Sequence, residues 1–401
     1  MPLTRKLASN RCLANEKGAA LASHQQGGAF SIVRSEGAFI AGAATTILFL
    51  VFGDAWLADL TNIFKVSLLF AWIFAAILWC AFRVVYHADC LAVLLGEPYG
   101  TLILTIAVIA IEVSLIVAMM LTGGAEPTLA RDTMLAVVMI VLNGMVGVAL
   151  LLGGLRHGEQ EFNLQGARAF LAVLVPLTTI CLILPRFTAS TAEPTLTSVQ
   201  AVLFATMTVV LYATFLAIQT RRHRHFFMQP GAAGNAHAGE DDDDGHEDLS
   251  PRSVYYHAVF LVLTMLPIVL LAKRLAVLLD YEIAALGAPP ALRGVLVATL
   301  VLTPEALAAF KAALANRLQR SVNICLGSAL ATISLTVPAV LTIGLLIGMK
   351  VVLGVTDADM VLVILSLALS MLSFGGVRTN MLQGAVHLVV FFVYLVLIFN
   401  P

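Results

Sequence analysis

Eleven apolar runs, most of about 17–25 residues and parted by short polar connections, constrain this chain more than any other feature. A helix of that length, rising 1.5 Å per residue, crosses a hydrocarbon core roughly 30 Å thick. The runs are read over residues 37–52, 63–85, 99–122, 133–154, 167–184, 197–218, 254–272, 292–314, 322–349, 360–374 and 381–399. Segments such as Val137-Val138-Met139-Ile140-Val141-Leu142 do not alternate polar with apolar, which excludes a β-barrel whose strands face lipid and lumen in turn. Composition agrees: 60% of residues are hydrophobic, only 12% are charged and mean hydropathy is +0.95. Soluble domains run at about 25% charged. The expected fold is therefore an all-α integral membrane protein of about eleven transmembrane helices, with the lipid bilayer as its solvent.

The net charge of −1 names no partner, and no basic patch interleaved with aromatics suggests nucleic acid. The placement of charge is more informative. With the N-terminus inside, 16 of the 23 basic residues fall in segments on the inner side, which favours a cytoplasmic N-terminus and an external C-terminus. Cys12, Cys80, Cys90, Cys181 and Cys325 form no paired motif and read as small apolar residues.

One long polar interruption, residues 219–253, carries the acidic run Glu240, Asp241, Asp242, Asp243, Asp244, Glu247 and Asp248, flanked by His237 and His246. This composition cannot build a core and reads as a solvated cytoplasmic linker, with cation-sensitive regulation as the alternative. The chain then divides into a polar tail (1–36), an extra first helix (37–53), a five-helix repeat (62–218), the linker (219–253) and a second five-helix repeat (254–401). Five is an odd number, so the second repeat must run inverted relative to the first, the plan of many secondary transporters.

Two acidic residues fall deep inside apolar runs. Glu112 lies near the middle of 99–122 and Glu305 near the middle of 292–314, each in the second helix of its repeat. A carboxylate at the bilayer centre costs several kcal/mol and marks an ion or proton path by default. The bland alternative is a pair of protonated carboxyls that tie helices together. Two carboxylates supply up to four oxygens and two negative charges to a hard cation such as Ca²⁺, with hydroxyls, amides, carbonyls or water completing the shell. Pro304 has no amide proton, which frees the Leu300 carbonyl one turn before Glu305. Further candidate oxygen ligands are Thr105, Ser114, Thr303, Asn143, Asn323, Ser328 and Thr332, each of which also suits ordinary helix packing. Without a cation, two neighbouring buried carboxylates take up protons, so cation and proton compete for one site; with alternating access, competition becomes antiport.

These segments carry a resemblance. Leu95-Gly96-Glu97-Pro98-Tyr99-Gly100-Thr101-Leu102 running to Ile111-Glu112-Val113-Ser114-Leu115, then Thr303-Pro304-Glu305-Ala306-Leu307, Asn316-Arg317-Leu318-Gln319-Arg320-Ser321-Val322-Asn323, Gly327-Ser328-Ala329-Leu330-Ala331-Thr332-Ile333 and Gly376-Val377-Arg378-Thr379-Asn380 resemble the calcium/cation antiporter superfamily. Within it the chain is most similar to the bacterial ChaA-type branch of calcium/proton (sodium-potassium/proton) antiporters. The resemblance implies exchange of Ca²⁺ for H⁺, carried on Glu112 and Glu305, in a bacterial inner membrane and with no cofactor. Val108-Ile109 stand where eukaryotic exchangers have a Gly-Asn pair and Ala331 where they have a glutamine, which is consistent with a looser site that also takes Na⁺ or K⁺.

Other polar residues in the runs have weaker readings. His87, Asp89 and Glu97 fall at the expected cytoplasmic entrance, and His387 in the last helix is read as a helix-to-helix hydrogen bond or a proton relay. A membrane-embedded hydrolase is the distant alternative; the HExxH zinc pattern it would most simply use does not occur. The chain is thus expected not to be an enzyme.

Overall fold

The computed structural model of the protein describes residues 35–96, 99–122, 127–191, 193–230 and 251–400. Residues 1–34, Glu97, His237, His246 and the acidic run from Glu240 to Asp248 lie outside the described residues. Eleven helices take up the apolar runs: α1 Gly37–Val51, α2 Ile63–Leu95, α3 Tyr99–Thr122, α4 Leu129–His157, α5 Leu164–Arg186, α6 Ser198–Arg222, α7 Val254–Ala285, α8 Leu292–Leu314, α9 Leu318–Ile347, α10 Asp357–Ser373 and α11 Met381–Phe399. Among the described residues, nine helices are long and apolar enough to cross a membrane; α1 and α10, at 15 and 17 residues, are shorter.

Local chemistry sets the helix ends. Side-chain caps open several helices, including capping boxes at Thr197 with Gln200 and at Asn380 with Gln383. The first helices of the two halves, α2 and α7, run 33 and 32 residues, well past the expected ends at Val85 and Ala272. The apolar criterion stops at His87 and at Lys273, but those side chains do not break a helix. The helices instead end just before Gly96 and Gly287, whose φ values of 64° and 60° are open to glycine and costly for other residues.

Pairing between loops fixes the direction of the helices. Strand β1, Glu159–Glu161, follows α4 and pairs antiparallel with β2, Arg378–Asn380, which precedes α11; Arg378 adds an ion pair to Glu161 at 2.5 Å. The opposite ends of α5 and α10 meet in a second pairing, an antiparallel bridge between Thr195 and Val352, flanked by ion pairs from Lys350 to Glu193 and from Arg186 to Asp357. Helix α5 therefore runs from the first cap to the second, and α10 runs from the second to the first. The fourth helices of the two halves are antiparallel, as inverted repeats require.

Helices α3, α4, α8 and α9 gather at the centre, with α4 and α9 each loosened by a wide turn of i→i+5 bonding, at Ile140–Met145 and Thr332–Thr336. In α9, Pro338 follows the wide turn; its missing amide and its ring disrupt the preceding ladder. Glycines allow close crossings around this centre. A Cβ on Gly294 of α8 would sit 2.6 Å from the Asp132 backbone of α4, and one on Gly384 of α11 would sit 2.5 Å from the Leu151 nitrogen of α4. Small residues are what let membrane helices approach this closely. Gly384→Val is expected to lower the melting temperature of the detergent-purified protein, by an overpacking cost of about 1–3 kcal/mol, while Gly96→Ala strains only a turn where a Cβ meets nothing within 4 Å.

Candidate ion-binding site

Helices α3 and α8 bring Glu112 and Glu305 into the central group, where Glu112 is 1% exposed and Glu305 is partly buried. Both carboxylates lean on one face of α9. Ser328 donates a hydrogen bond to Glu305 Oε2, Thr332 donates to Glu112 Oε2 at 3.0 Å, and Thr336 donates to the same oxygen at 3.1 Å. Residues four apart stand one above the other on a helix. Ser328 and Thr332 therefore set the two carboxylates beside successive turns, within electrostatic reach of each other.

The wide turn Thr332–Thr336 carries the two threonines that hold Glu112. Glu112 Oε1 is buried without a hydrogen-bond partner among the described residues. A buried carboxylate oxygen left in that state is costly.

Among the described residues, none of the other polar sequence candidates hydrogen-bonds to Glu112 or Glu305. Thr105 accepts from the Tyr212 hydroxyl at 3.5 Å, while Ser114 and Thr303 donate to carbonyls one turn back in their own helices, at 2.6 and 2.5 Å. Asn323 donates to the Phe227 carbonyl at 2.8 Å and accepts from Gln319 at 2.7 Å. Leu300, one turn before Pro304, borders an apolar cavity with Phe70, Leu115 and Leu279. Asp89, on α2, lies within electrostatic reach of Glu305 and of Arg320. Thr336 was not among the sequence candidates, although its place four residues beyond Thr332 puts it on the same helix face.

Asn143, in the wide turn of α4, belongs to a separate buried network. Its amide donates to Ser366 at 2.7 Å, and its carbonyl oxygen lies 3.3 Å from His387 Nδ1; His387 Nε2 lies 3.0 Å from the Ser373 hydroxyl. Because Asn143 Oδ1 can only accept, His387 carries its proton on Nδ1 and accepts from Ser373 at Nε2. This network joins α4, α10 and α11, and none of its buried side-chain polar atoms lacks a partner.

Comparison with known proteins bears on this architecture. The family described as Sodium/calcium exchanger protein matches residues 65–221 and 256–400. The chain belongs to that family. Its two matched segments correspond to the two halves of the fold, the first holding Glu112 and the second Glu305. Among exchanger relatives, the sodium-potassium/proton antiporter ChaA of Escherichia coli (strain K12) is 42% identical over 323 residues, covering 80% of this chain and 86% of that one. A Ca²⁺/H⁺ antiporter of Synechocystis sp. (strain ATCC 27184 / PCC 6803 / Kazusa) is 26% identical over 269 residues, covering 64% of this chain and 71% of that one. The solved structure of native YfkE superposes with a TM-score of 0.69 at 18% identity, covering 91% of this chain and all of that one, and so shares the fold. The protein is an integral membrane cation exchanger.

Replacing His387 by Ala leaves Asn143 Oδ1 and the Ser373 hydroxyl buried and unpaired, at about 1–3 kcal/mol each. The expected result is a marked fall in thermal stability in detergent, with His387→Asn, which keeps a donor, falling less.

Proposed function

We propose that this exchanger moves a cation against protons by binding them in turn on Glu112 and Glu305. The observation that carries the reading is the seating of both carboxylates on the Ser328–Thr332–Thr336 face of α9, with one Glu112 oxygen buried and unpartnered. Two neighbouring carboxylates cannot both stay ionised in a membrane interior unless a cation lies with them. A cation that enters displaces protons, and a cation that leaves is replaced by them. No covalent bond changes, so the cycle is transport and not enzymatic catalysis. Alternating access follows when the two inverted halves expose the shared site first to one side and then to the other. The cytoplasmic placement of the N-terminus rests on the bias of basic residues, and the inner membrane of a bacterium on the kinship with the Escherichia coli antiporter.

The cargo this site suits best is Ca²⁺. Two carboxylates balance a divalent charge, the three hydroxyls of α9 and nearby backbone oxygens are hard donors, and hard donors suit Ca²⁺. An electroneutral exchange of one divalent ion for two protons fits the same pair. A second reading, exchange of Na⁺ or K⁺ for H⁺, is favoured by the 42% identity to the sodium-potassium/proton antiporter and by apolar Val108, Ile109 and Ala331 at positions where amide ligands would narrow the choice.

Proton release from acid-loaded proteoliposomes on adding Ca²⁺, Na⁺, K⁺ or Mg²⁺ decides between the two readings. Ca²⁺ is expected to drive the largest flux, and Glu112→Gln and Glu305→Gln are each expected to be silent. Full activity in both variants would overturn the mechanism, whereas a response to Na⁺ or K⁺ alone would change only the ion. Competition sets a pH signature as well: while protons occupy the site, each unit fall in pH is expected to raise the cation concentration for half-maximal rate about tenfold per competing proton. Thr332→Val with Thr336→Val removes two hydrogen bonds to a charged group, each worth about 1.5–3 kcal/mol. Cation-driven flux is expected to fall at least about tenfold while the protein stays monodisperse.

A further inference from the structure

A second buried cluster of ionisable groups lies far along the chain from Glu112 and Glu305 and has no part in the exchange site. Glu36, the residue before α1, is 1% exposed and reaches between α2 and α7. It receives hydrogen bonds from Arg83 at 2.6 and 3.0 Å and from the Tyr256 hydroxyl, and its Oε2 lies 3.1 Å from His87 Nε2. His87 Nδ1 lies 2.9 Å from His257 Nδ1, and His257 Nε2 accepts from the Arg252 backbone N–H at 2.9 Å. Both imidazoles are buried, at 0% and 1% exposure.

The end groups fix every proton in this chain. Arg252 N–H can only donate, so His257 Nε2 is an acceptor and its proton is on Nδ1. That proton is donated to His87 Nδ1, and the His87 proton is therefore on Nε2, where it meets the Glu36 carboxylate. Each neutral ring uses one donor and one acceptor, with neither left over. The other polar and charged groups facing the rings are Ser35 beside Glu36, Arg83, Tyr86 and Cys90 on α2, and Arg252 and Tyr256 at the start of α7; Phe260 covers the His87 face. Burial works against an ionised Glu36, but hydrogen bonds from His87, Arg83 and Tyr256 outweigh it and hold its carboxyl well below the usual carboxylate range.

We infer that the Glu36–His87–His257 chain is a proton-binding site separate from the exchange site, one that takes a single proton and in doing so releases Arg252 from the start of α7. Arg252 is exposed, and on this reading the proton enters the chain at its Arg252 end, on His257 Nε2. A proton that binds there makes an imidazolium. The Nδ1 proton of His257 then passes to His87 Nδ1, leaving His257 neutral with its proton on Nε2, and His87 cationic against the Glu36 carboxylate. All atoms are conserved, and the two links between Glu36 and His257 survive with the central one reversed. The third link cannot survive, because His257 Nε2–H then faces Arg252 N–H, donor to donor. The site therefore couples acidity to the point where the segment after residue 250 enters the second half of the exchanger.

The test uses full-length protein in lipid nanodiscs with ring-labelled histidine. Nuclear magnetic resonance spectra are recorded from about pH 8 to about pH 5, the span in which imidazoles titrate. Signals lost in His87→Gln and in His257→Gln identify the two rings, and hydrogen exchange of the Arg252 amide is followed alongside. The two rings are expected to take up one proton between them, and Arg252 protection is expected to fall about tenfold or more with the same midpoint. Glu36→Gln removes the carboxylate that faces the imidazolium and is expected to shift that midpoint to lower pH, so that about tenfold more acid is needed. Two rings that stay neutral to about pH 5, independent uptake of two protons, or a midpoint unmoved in Glu36→Gln would each overturn the inference. A transition that disappears when chelator is added would make this a metal site and would overturn it too.

Discussion

Everything in this structure is arranged around the cost of holding two carboxylates inside a membrane. Leaving Glu112 and Glu305 without partners at that depth would cost several kcal/mol each. Hydroxyls from a single helix reduce that cost without removing it. Ser328, Thr332 and Thr336 satisfy three hydrogen bonds, and Glu112 Oε1 remains unpartnered among the described residues. Had the protein supplied a fixed cation such as lysine or arginine, the site would be at rest electrically and would have no need of an ion from solution. Hydroxyls orient the carboxylates but carry no net charge, which on the proposed reading leaves neutralisation to an ion or proton that comes and goes.

The inverted architecture follows from the same requirement. Alternating access, as proposed, needs two halves that face opposite ways, and the antiparallel courses of α5 and α10 between two loop pairings agree with that. The symmetry is not carried through to the side chains. The wide turn of α9 directs threonines to Glu112, whereas the wide turn of α4 places Asn143 against Ser366 and His387. A hydroxyl can turn from carboxylate to cation by rotating a single bond. Asn143 would have to give up partners on two other helices first.

Much of this was legible in the sequence because membranes simplify the problem. Helix existence follows from apolar length, and Glu112 and Glu305 stand out since an acid in such a run has few structural uses. Ser328 and Thr332 could be named as neighbours of Glu305, though the sequence could not assign Thr332 to Glu112, since that contact depends on how α3 and α9 cross. Thr105, Ser114, Thr303 and Asn323 looked equivalent to them, yet bond within their own helix or to neighbours away from the carboxylates, because hydroxyls and amides are satisfied by whichever acceptor the rotamer reaches first. The extra turns of α2 and α7 escaped notice because hydropathy ends where polarity begins, while a helix ends at a backbone signal such as Gly96.

Least legible of all were Glu36 and His257, which are separated by 221 positions in the chain and share neither a motif nor a periodic spacing with His87. Their meeting depends on α1, which belongs to neither repeat and packs against the first helix of both. That position gives α1 a role the repeats cannot fill for themselves. Helices α2 and α7 lie along one another across the boundary between the halves, so a carboxylate inserted between them is bonded to both sides at once, to Arg83 and His87 on α2 and to Tyr256 on α7. Any relative shift of the two halves at that end must break these bonds or carry Glu36 along. The boundary is thus held by a short chain of hydrogen bonds as well as by apolar packing.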